Sequence, residues 1–203
     1  MAQRMQACVA CHGKEGRATN HGFFPRIAGK PAGYLYNQLV NFREGRRRNA
    51  TMAYMVDHMS DAYLREIADY FAHLDLPYPA PQTTGAAPAV LARGEQLVRQ
   101  GDPQRGIPAC AQCHGQAMTG VNPAMPGLLG LPRDYLLAQF GGWRNGLRQA
   151  PAPDCMAEIA KRLSPDDVTA AAVWLSSQPV SAGPAPAGSL PGKLPLACGS
   201  GVR

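Results

Sequence analysis

The chain carries one five-residue pattern twice, at Cys8–His12 and at Cys110–His114. In each copy two residues separate a pair of cysteines, and a histidine directly follows the second cysteine. At this spacing both thiols can form thioether bonds to one haem, while the histidine lies under the iron. The sequence therefore predicts two covalently attached haem c groups. The attachment residues are Cys8, Cys11, Cys110 and Cys113, and the proximal iron ligands are His12 and His114.

Cysteine pairs with this spacing also occur in zinc sites and in dithiol redox sites. A zinc ribbon would bring both pairs to one metal and would not need a histidine directly after each pair. A thioredoxin-like site would accompany a βαβ pattern, which this sequence lacks. Haem attachment accounts best for both runs, and zinc or dithiol chemistry stays open as the alternative.

The chain is also duplicated outside these two runs. The loop 24–29 matches 125–130, and the residues after each loop recur about a hundred positions later. Further matched pairs are Tyr34 and Tyr135, Gln38 and Gln139, Phe42 and Trp143, and Ser60 and Ser164. The offset drifts only between 101 and 104, so insertions are small and lie in loops. Such a repeat predicts two halves of similar structure.

Each half shows the apolar spacing of helices. Between residues 31 and 44 the apolar side chains recur at i, i+3 and i+4. Ser60 and Ser164 precede apolar stripes, as helix N-caps do, and Pro165 takes a first helical position. Residues 89–99 predict a helix before the second run, and strand patterns are lacking. We expect an all-α fold of two tandem domains related by internal duplication.

Composition places the domain boundaries. Residues 79–88 form a proline-rich linker, so residues 1–78 are expected to form an N-terminal domain with the first haem. Residues 89–178 then form a C-terminal domain with the second haem. Residues 179–203 are rich in proline, glycine and alanine and are expected to form a tail that lies over the surface or is partly disordered.

The second half identifies its sixth iron ligand by elimination. No histidine follows His114, so a pair of histidine ligands is not available there. Met125 adjoins the loop proline, which leaves Met156 as the thioether ligand of an electron-transfer haem. Met156 lies 8 residues before the helix start at Ser164.

The same register selects a ligand in the first half. Met52 lies 8 residues before Ser60 and is therefore the equivalent of Met156. Met55 and Met59 align with apolar residues of the second half, so we expect them in the core. Methionine otherwise serves as flexible core packing.

Two loop prolines occupy matching positions after the proximal histidines. Pro25 lies 13 residues after His12, and Pro126 lies 12 residues after His114. An iron-bound imidazole needs an acceptor for its other ring nitrogen, and a backbone carbonyl of this loop is the natural candidate. The alternative is that these prolines only shape the turn.

The formal net charge of +6 does not indicate nucleic-acid binding. Arg46–Arg48 is the one dense basic run; aromatic residues do not alternate with it, so we expect a solvated loop. No apolar run reaches 18 residues, so the sequence predicts no membrane span. Covalent haem attachment takes place outside the cytoplasm, so we expect a periplasmic protein whose export segment has been removed.

Two cysteines, Cys155 and Cys198, lie outside the haem runs. In an oxidising compartment spare cysteines tend to pair, and a disulfide here would pin the tail to the loop of Met156. Two alternatives stay open, namely unpaired thiols and thiolate ligation of the second iron by Cys155.

With these residues in hand, the chain resembles the dihaem class I cytochromes c of the c4 type. The resemblance covers residues 6–178 and rests on both haem runs, Phe-Pro-x-Ile-Ala-Gly from Phe24, Tyr-Leu-x-x-Gln-Leu from Tyr34, and the Arg/Asn-rich loop before Met52. It implies two class I cytochrome c domains, His/Met ligation of both irons, and periplasmic electron transfer. Cys155 and the tail with Cys198 depart from the family pattern.

The leading hypothesis is an electron carrier between respiratory dehydrogenase or bc1-type donors and a terminal oxidase or reductase. Its partners would be redox proteins, through which it would associate with a membrane, and the chain would not itself be an enzyme. One alternative is a haem subunit docked permanently to a dehydrogenase or oxidase. Another is a dihaem enzyme of the thiosulfate dehydrogenase type, which would need an open or cysteine-ligated iron.

Overall fold

The computed structural model describes residues 1–18, 24–180, 185–190 and 192–201. Its architecture is helical, as the sequence predicts. The helices of the first half are α1 (Gln6–His12), α2 (Ala32–Arg43), α3 (Ala50–Val56) and α4 (Asp61–Ala72). The helices of the second half are α5 (Pro88–Arg99), α6 (Cys110–His114), α7 (Arg133–Arg144), α8 (Cys155–Arg162) and α9 (Pro165–Ser177).

Side-chain caps fix the starts of α4 and α9. Ser60 Oγ accepts a hydrogen bond from the Tyr63 amide at 3.3 Å, and Ser164 Oγ accepts one from the Asp167 amide at 3.1 Å. The Asp167 carboxylate in turn accepts a hydrogen bond from the Ser164 amide, which completes a capping box. Both serine N-caps are confirmed. A cap of this kind is typically worth about 1 kcal/mol.

The second half also contains a short β-hairpin, which the sequence does not predict. Strands β1 (Gly120–Val121) and β2 (Met125–Pro126) are two residues each and pair antiparallel. Runs this short have no detectable alternation, because period-2 patterning needs about four residues. The hairpin carries Pro126, so it shapes the loop next to His114.

Each half has its own apolar core around its helices. In the first half, Leu64, Ile67 and Phe71 of α4 pack against Leu35 and Phe42 of α2. In the second half, α5 and α9 lie so close that Gly94 rests on the Ala170 carbonyl oxygen. Met55 and Met59 are half-buried and pack against the first core, as Met52 also does.

The two halves meet through equivalent segments. The Arg48 amide donates to the Leu147 carbonyl at 2.8 Å, and the Gln149 amide donates to the Arg46 carbonyl at 2.7 Å. These bonds form an antiparallel bridge between Arg47 and Arg148. Because Arg47 and Arg148 are related by the repeat, the contact has approximate two-fold symmetry.

Residues 74–87 have no regular secondary structure and run along the second half, where the Gln82 amide donates to the Ser176 carbonyl at 2.8 Å. The described part of the tail is bound rather than loose. Ala187 exchanges backbone hydrogen bonds with the β1 region, accepting from Asn122 at 2.8 Å and donating to Gly120 at 2.9 Å.

Among the described helices, none has both the length and the apolar character needed to cross a membrane.

Candidate haem sites

Each proximal histidine is oriented by a loop proline. His12 Nδ1 lies 3.0 Å from the Pro25 carbonyl oxygen, and His114 Nδ1 lies 2.7 Å from that of Pro126. A carbonyl oxygen only accepts hydrogen bonds, so Nδ1 carries the proton in both rings. Nε2 is then left as a lone-pair donor for a metal, which is the arrangement an iron-bound imidazole requires.

Burial keeps both imidazoles neutral. It lowers the pKa of His12, against the opposing effect of the Pro25 hydrogen bond, and the nearby Arg47 lowers it further. Burial likewise lowers the pKa of His114 against the Pro126 bond, with Lys30 and Arg148 adding to the decrease. Neutral imidazole is the form that binds iron.

The paired cysteines lie one helical turn or less from their histidines, on α1 and α6. Burial raises the pKa of Cys8 and Cys113, and raises that of Cys110 to about 12. Their pKa values are thus shifted in the direction opposite to the one typical of a dithiol redox site. Within the described residues no cluster of three or more His, Cys, Asp or Glu side chains forms a metal-binding group.

The two methionines selected by register lie on short helices that face the same space as the histidines. Met52 is in the first turn of α3, where the Asn49 side chain caps the helix by accepting from the Met52 amide at 3.0 Å. Met156 is the second residue of α8, whose N-cap is Asp154. Both methionines are half-buried and contribute to the walls of one cavity.

That cavity has a volume of about 830 Å³ and extends through both halves. Its walls include His12, Met52, His114 and Met156 together with Cys11 and Cys113. A mostly apolar cleft with a few polar groups is typical of a cofactor site. Because one space joins the two histidine–methionine pairs, groups bound by the two halves would lie near each other.

Buried cations line the domain interface of this cavity. Arg26 and Lys30 are 2% exposed and Arg148 is 8% exposed, while Arg47 is half-buried. Their hydrogen-bond acceptors among the described residues are carbonyl, amide and phenol oxygens rather than carboxylates. Buried charges are normally paired with opposite charges. These cations therefore need anions close to them, such as the propionates of two haems. The residues present therefore fit two haem c groups.

Arg47 corrects the expectation of a solvated basic loop. Its guanidinium donates to Gln38 Oε1 at 3.0 Å, to Gln139 Oε1 at 2.7 Å and to the Tyr135 hydroxyl at 3.0 Å. It turns inward because two of these acceptors, Tyr135 and Gln139, come from the second half. Arg48, the next residue, is exposed.

Lys30 makes the interface asymmetric, since Leu131 occupies the equivalent position in the second half. Its Nζ donates to the Gly127 carbonyl at 2.8 Å, next to the proline that orients His114. Burial lowers the pKa of Lys30 to about 7, and the charge of Arg26 adds to the decrease. A single residue of the first half therefore places a buried, titratable amine beside the second site.

The spare cysteines are paired. A disulfide joins Cys155 to Cys198, with 4.9 Å between the two Cα atoms. This confirms the pairing that the sequence favours and leaves Cys155 no thiolate with which to ligate iron.

Sequence reasoning did not identify the interface residues. The signal was present, because the pairs Tyr34/Tyr135, Gln38/Gln139 and Arg47/Arg148 all share the offset of 101. A polar residue that is repeated without being a haem ligand is a candidate for the contact between the repeats.

The comparisons with known proteins agree with this geometry. The family Cytochrome c matches residues 2–75. The chain is 39% identical over 176 residues to the "Thiosulfate dehydrogenase electron acceptor" of Thiomonas intermedia, covering 86% of this chain and 80% of that protein. It is 33% identical over 172 residues to cytochrome c4 of Thiocapsa roseopersicina, covering 83% and 85% respectively.

Two solved structures resemble the fold. Reduced recombinant cytochrome c4 from Pseudomonas stutzeri superposes with a TM-score of 0.75 at 29% identity, over 87% of this chain and 95% of that chain. The structure titled "Thiosulfate dehydrogenase (TsdBA)" from Marichromatium purpuratum gives a TM-score of 0.78 at 29% identity. It is matched over 90% of this chain but only 40% of its own length.

Fold, haem runs and relatives together define a dihaem c-type electron-transfer protein with two haem c groups. More specifically, the chain belongs to the dihaem cytochromes c of the c4 type. It is an electron carrier, and its partners are redox proteins.

Proposed function

We propose that this chain accepts electrons from a thiosulfate-oxidising dehydrogenase and delivers them to a further redox protein. The supporting observation is that it is more similar to the relative named as the electron acceptor of that enzyme, at 39% identity, than to the cytochrome c4 at 33%. A respiratory oxidase or reductase is the corresponding acceptor class. The two-haem arrangement suits this role, because one half can receive electrons while the other donates them.

The proposed iron ligands are His12 and Met52 in the first half and His114 and Met156 in the second. Bound haem c supplies an iron that alternates between ferric and ferrous states. The neutral thioether favours the ferrous state, and the carbonyls of Pro25 and Pro126 hold the imidazoles in one orientation. Two protein ligands per iron leave no position for substrate, so the chain itself has no catalytic role.

The cavity geometry supports electron transfer between the halves. Arg47 and Arg148 cross the interface, and each contacts side chains of both halves. Their positive charges would stabilise anionic substituents of haems bound near this contact. The proposed domains are residues 1–78 and 89–178, with the linker 79–88 and the tail 179–203, and the proposed location is the periplasm.

A second candidate is a haem subunit that stays docked to its enzyme. The observation in its favour is that this chain matches 40% of the longer chain titled "Thiosulfate dehydrogenase (TsdBA)". A homologous unit therefore occurs within a larger polypeptide of that name. Size-exclusion chromatography of a mixture with a purified thiosulfate dehydrogenase distinguishes the candidates, because a docked subunit co-elutes and a carrier elutes separately.

Stopped-flow spectroscopy tests the donor directly. The oxidised protein is mixed with thiosulfate alone, with a purified thiosulfate dehydrogenase alone, and with both together. We expect rapid reduction of both haems only in the complete mixture. If the haems are not reduced in the complete mixture, although dithionite reduces them fully, this donor is ruled out. Steady turnover with thiosulfate and an artificial acceptor, without the dehydrogenase, would instead show that the chain is an enzyme.

A further inference from the structure

The segment 192–201, here named the strap, crosses the Met156 side of the second half. It contains no helix or strand, yet Cys198 is only 7% exposed. Leu196, Cys198 and Ser200 line the same cavity as Met156. The strap is therefore part of the wall of the second haem site.

The strap docks on the loop that leads to Met156. The Gly199 amide donates to the Pro153 carbonyl at 2.9 Å. A Cβ at Gly199 would overlap the Ala152 carbonyl oxygen, so the two backbones are in close contact. This loop is three residues longer than its counterpart before Met52, since the repeat offset rises from 101 at Gly146 to 104 at Met156. The inserted residues thus provide the surface on which the strap rests.

The strap also reaches the first half. Its Ser200 carbonyl accepts a hydrogen bond from Asn37 Nδ2 at 3.1 Å, and Asn37 is buried on α2. Leu194 packs with Val121 and Met125 of the hairpin. The strap therefore connects the ligand loop, the hairpin and the opposite domain.

The disulfide fixes this arrangement at the residue next to the proposed ligand. Cys155 begins α8 and Met156 follows it. In the first half, the residue before Met52 is Thr51, which is exposed, and the cap of Asn49 holds the helix start. The start of α8 is likewise capped, because the Asp154 side chain accepts from the Ala157 amide at 3.0 Å. Only the start of α8 is also joined by a covalent bond to a distant segment.

We propose that Cys155 and Cys198 are positioning residues for Met156, so that the disulfide controls whether the second iron keeps its thioether ligand. The proposal rests on the proposed ligation of the second haem by Met156. When the bond is intact, the strap holds the start of α8 against the cavity. When it is reduced, the strap and the long loop are free to move, Met156 withdraws, and a sixth position opens on that iron alone.

The switching reaction is a thiol–disulfide exchange with a dithiol reductant. One reductant thiolate attacks a sulfur of the Cys155–Cys198 bond and forms a mixed disulfide. The second reductant thiol then displaces that sulfur. Two electrons and two protons pass to the protein, which gains two thiols, and the reductant leaves as a cyclic disulfide.

The test counts methionine-ligated irons in the purified holoprotein. The ferric sulfur-to-iron charge-transfer band is measured per haem before treatment. The protein is then reduced with dithiothreitol, alkylated with iodoacetamide and reoxidised with ferricyanide. We expect the band to fall from two ligated irons per chain to one. Carbon monoxide binding to the ferrous protein should rise from none to one per chain.

Three variants control the result. Cys155→Ser/Cys198→Ser should show the one-iron band without reductant, and Lys193→Ala, an exposed strap substitution, should behave as wild type. Met156→Ala should start with the one-iron band and lose no more on reduction, which assigns the change to the second haem. If the untreated protein has two ligated irons and keeps both after reduction, the positioning role is wrong. If the untreated protein has only one and Met156→Ala keeps it, the Met156 ligation itself is wrong.

Discussion

Arg47 and Arg148 donate to the same two amide oxygens, one from each half of the molecule. Gln139 Oε1 accepts from Arg47 at 2.7 Å and from Arg148 at 2.6 Å, and Gln38 Oε1 accepts from them at 3.0 and 3.2 Å. Two like charges converge on neutral acceptors, which is unfavourable without nearby anions. The interface is therefore built to be completed by the negative groups of its cofactors.

Removing one of these charges should lower the reduction potentials. We expect Arg148→Gln to shift the nearer haem downwards, because a positive charge favours the ferrous state. A unit charge acting through the protein is worth on the order of 1 kcal/mol, which corresponds to roughly 40 mV for one electron. Spectroelectrochemical titration measures the shift. Arg144→Gln, at an exposed position, is the matched control and should leave both potentials unchanged.

The ligand assignment predicts separate losses in the two halves. Met52→Ala and Met156→Ala should each remove half of the ferric charge-transfer band and lower the potential of one haem. Met55→Leu changes the other methionine of the same helix, which the register does not select as a ligand, so it should keep the full band. Loss of band intensity in Met55→Leu, with retention in Met52→Ala, would move the ligand to Met55.

Much of this arrangement was accessible from the sequence, because covalent and local signals fix it. The haem runs place the histidines, and the serine caps mark the helix starts. The duplicated register predicts Met52 and Met156 as ligands, which stays a prediction. The hairpin at 120–126 was missed because its strands are too short for a pattern. Arg47 was expected in solvent because its acceptors come from residues about 90 positions away. Contacts between repeats depend on geometry that local spacing does not contain.

Acid should weaken a charge network in the second half. Asp167 is buried against Arg93 and Arg105, at 2.8 and 2.7 Å. Burial of this carboxyl raises its pKa, but the hydrogen bonds from Arg105, Ser164 and Arg93 outweigh that effect and lower it well below the usual range. A lowered pKa gives stability that is complete above the unfolded value of about 3.9 and is lost as pH falls through the folded pKa.

We therefore expect Asp167→Asn to lower the free energy of unfolding at pH 7 by about 2 kcal/mol. The difference from wild type should shrink below about pH 4, where the unfolded carboxyl is protonated. Guanidinium titrations across pH measure both values. Asp134→Asn, at an exposed carboxylate, should have little effect at any pH. If the difference in the free energy of unfolding stays constant down to pH 2, the charge of Asp167 is not its cause.

The contact between α5 and α9 should not tolerate a methyl group. A Cβ at Gly94 would overlap the Ala170 carbonyl oxygen and crowd Trp174. We expect Gly94→Ala to destabilise the protein by about 1–3 kcal/mol, as measured by denaturant unfolding. Gly85→Ala, in the linker with open space around it, is the control and should be neutral or slightly stabilising. Equal behaviour of the two variants would contradict the close packing.

The most direct measurement for the whole account is a redox titration of the pure protein that follows the sulfur-to-iron charge-transfer band per haem. The account predicts two haems, both methionine-ligated when oxidised, with the band disappearing as each iron is reduced. A protein with fewer than two methionine-ligated irons, or one whose untreated ferrous haems bind carbon monoxide readily, would contradict it.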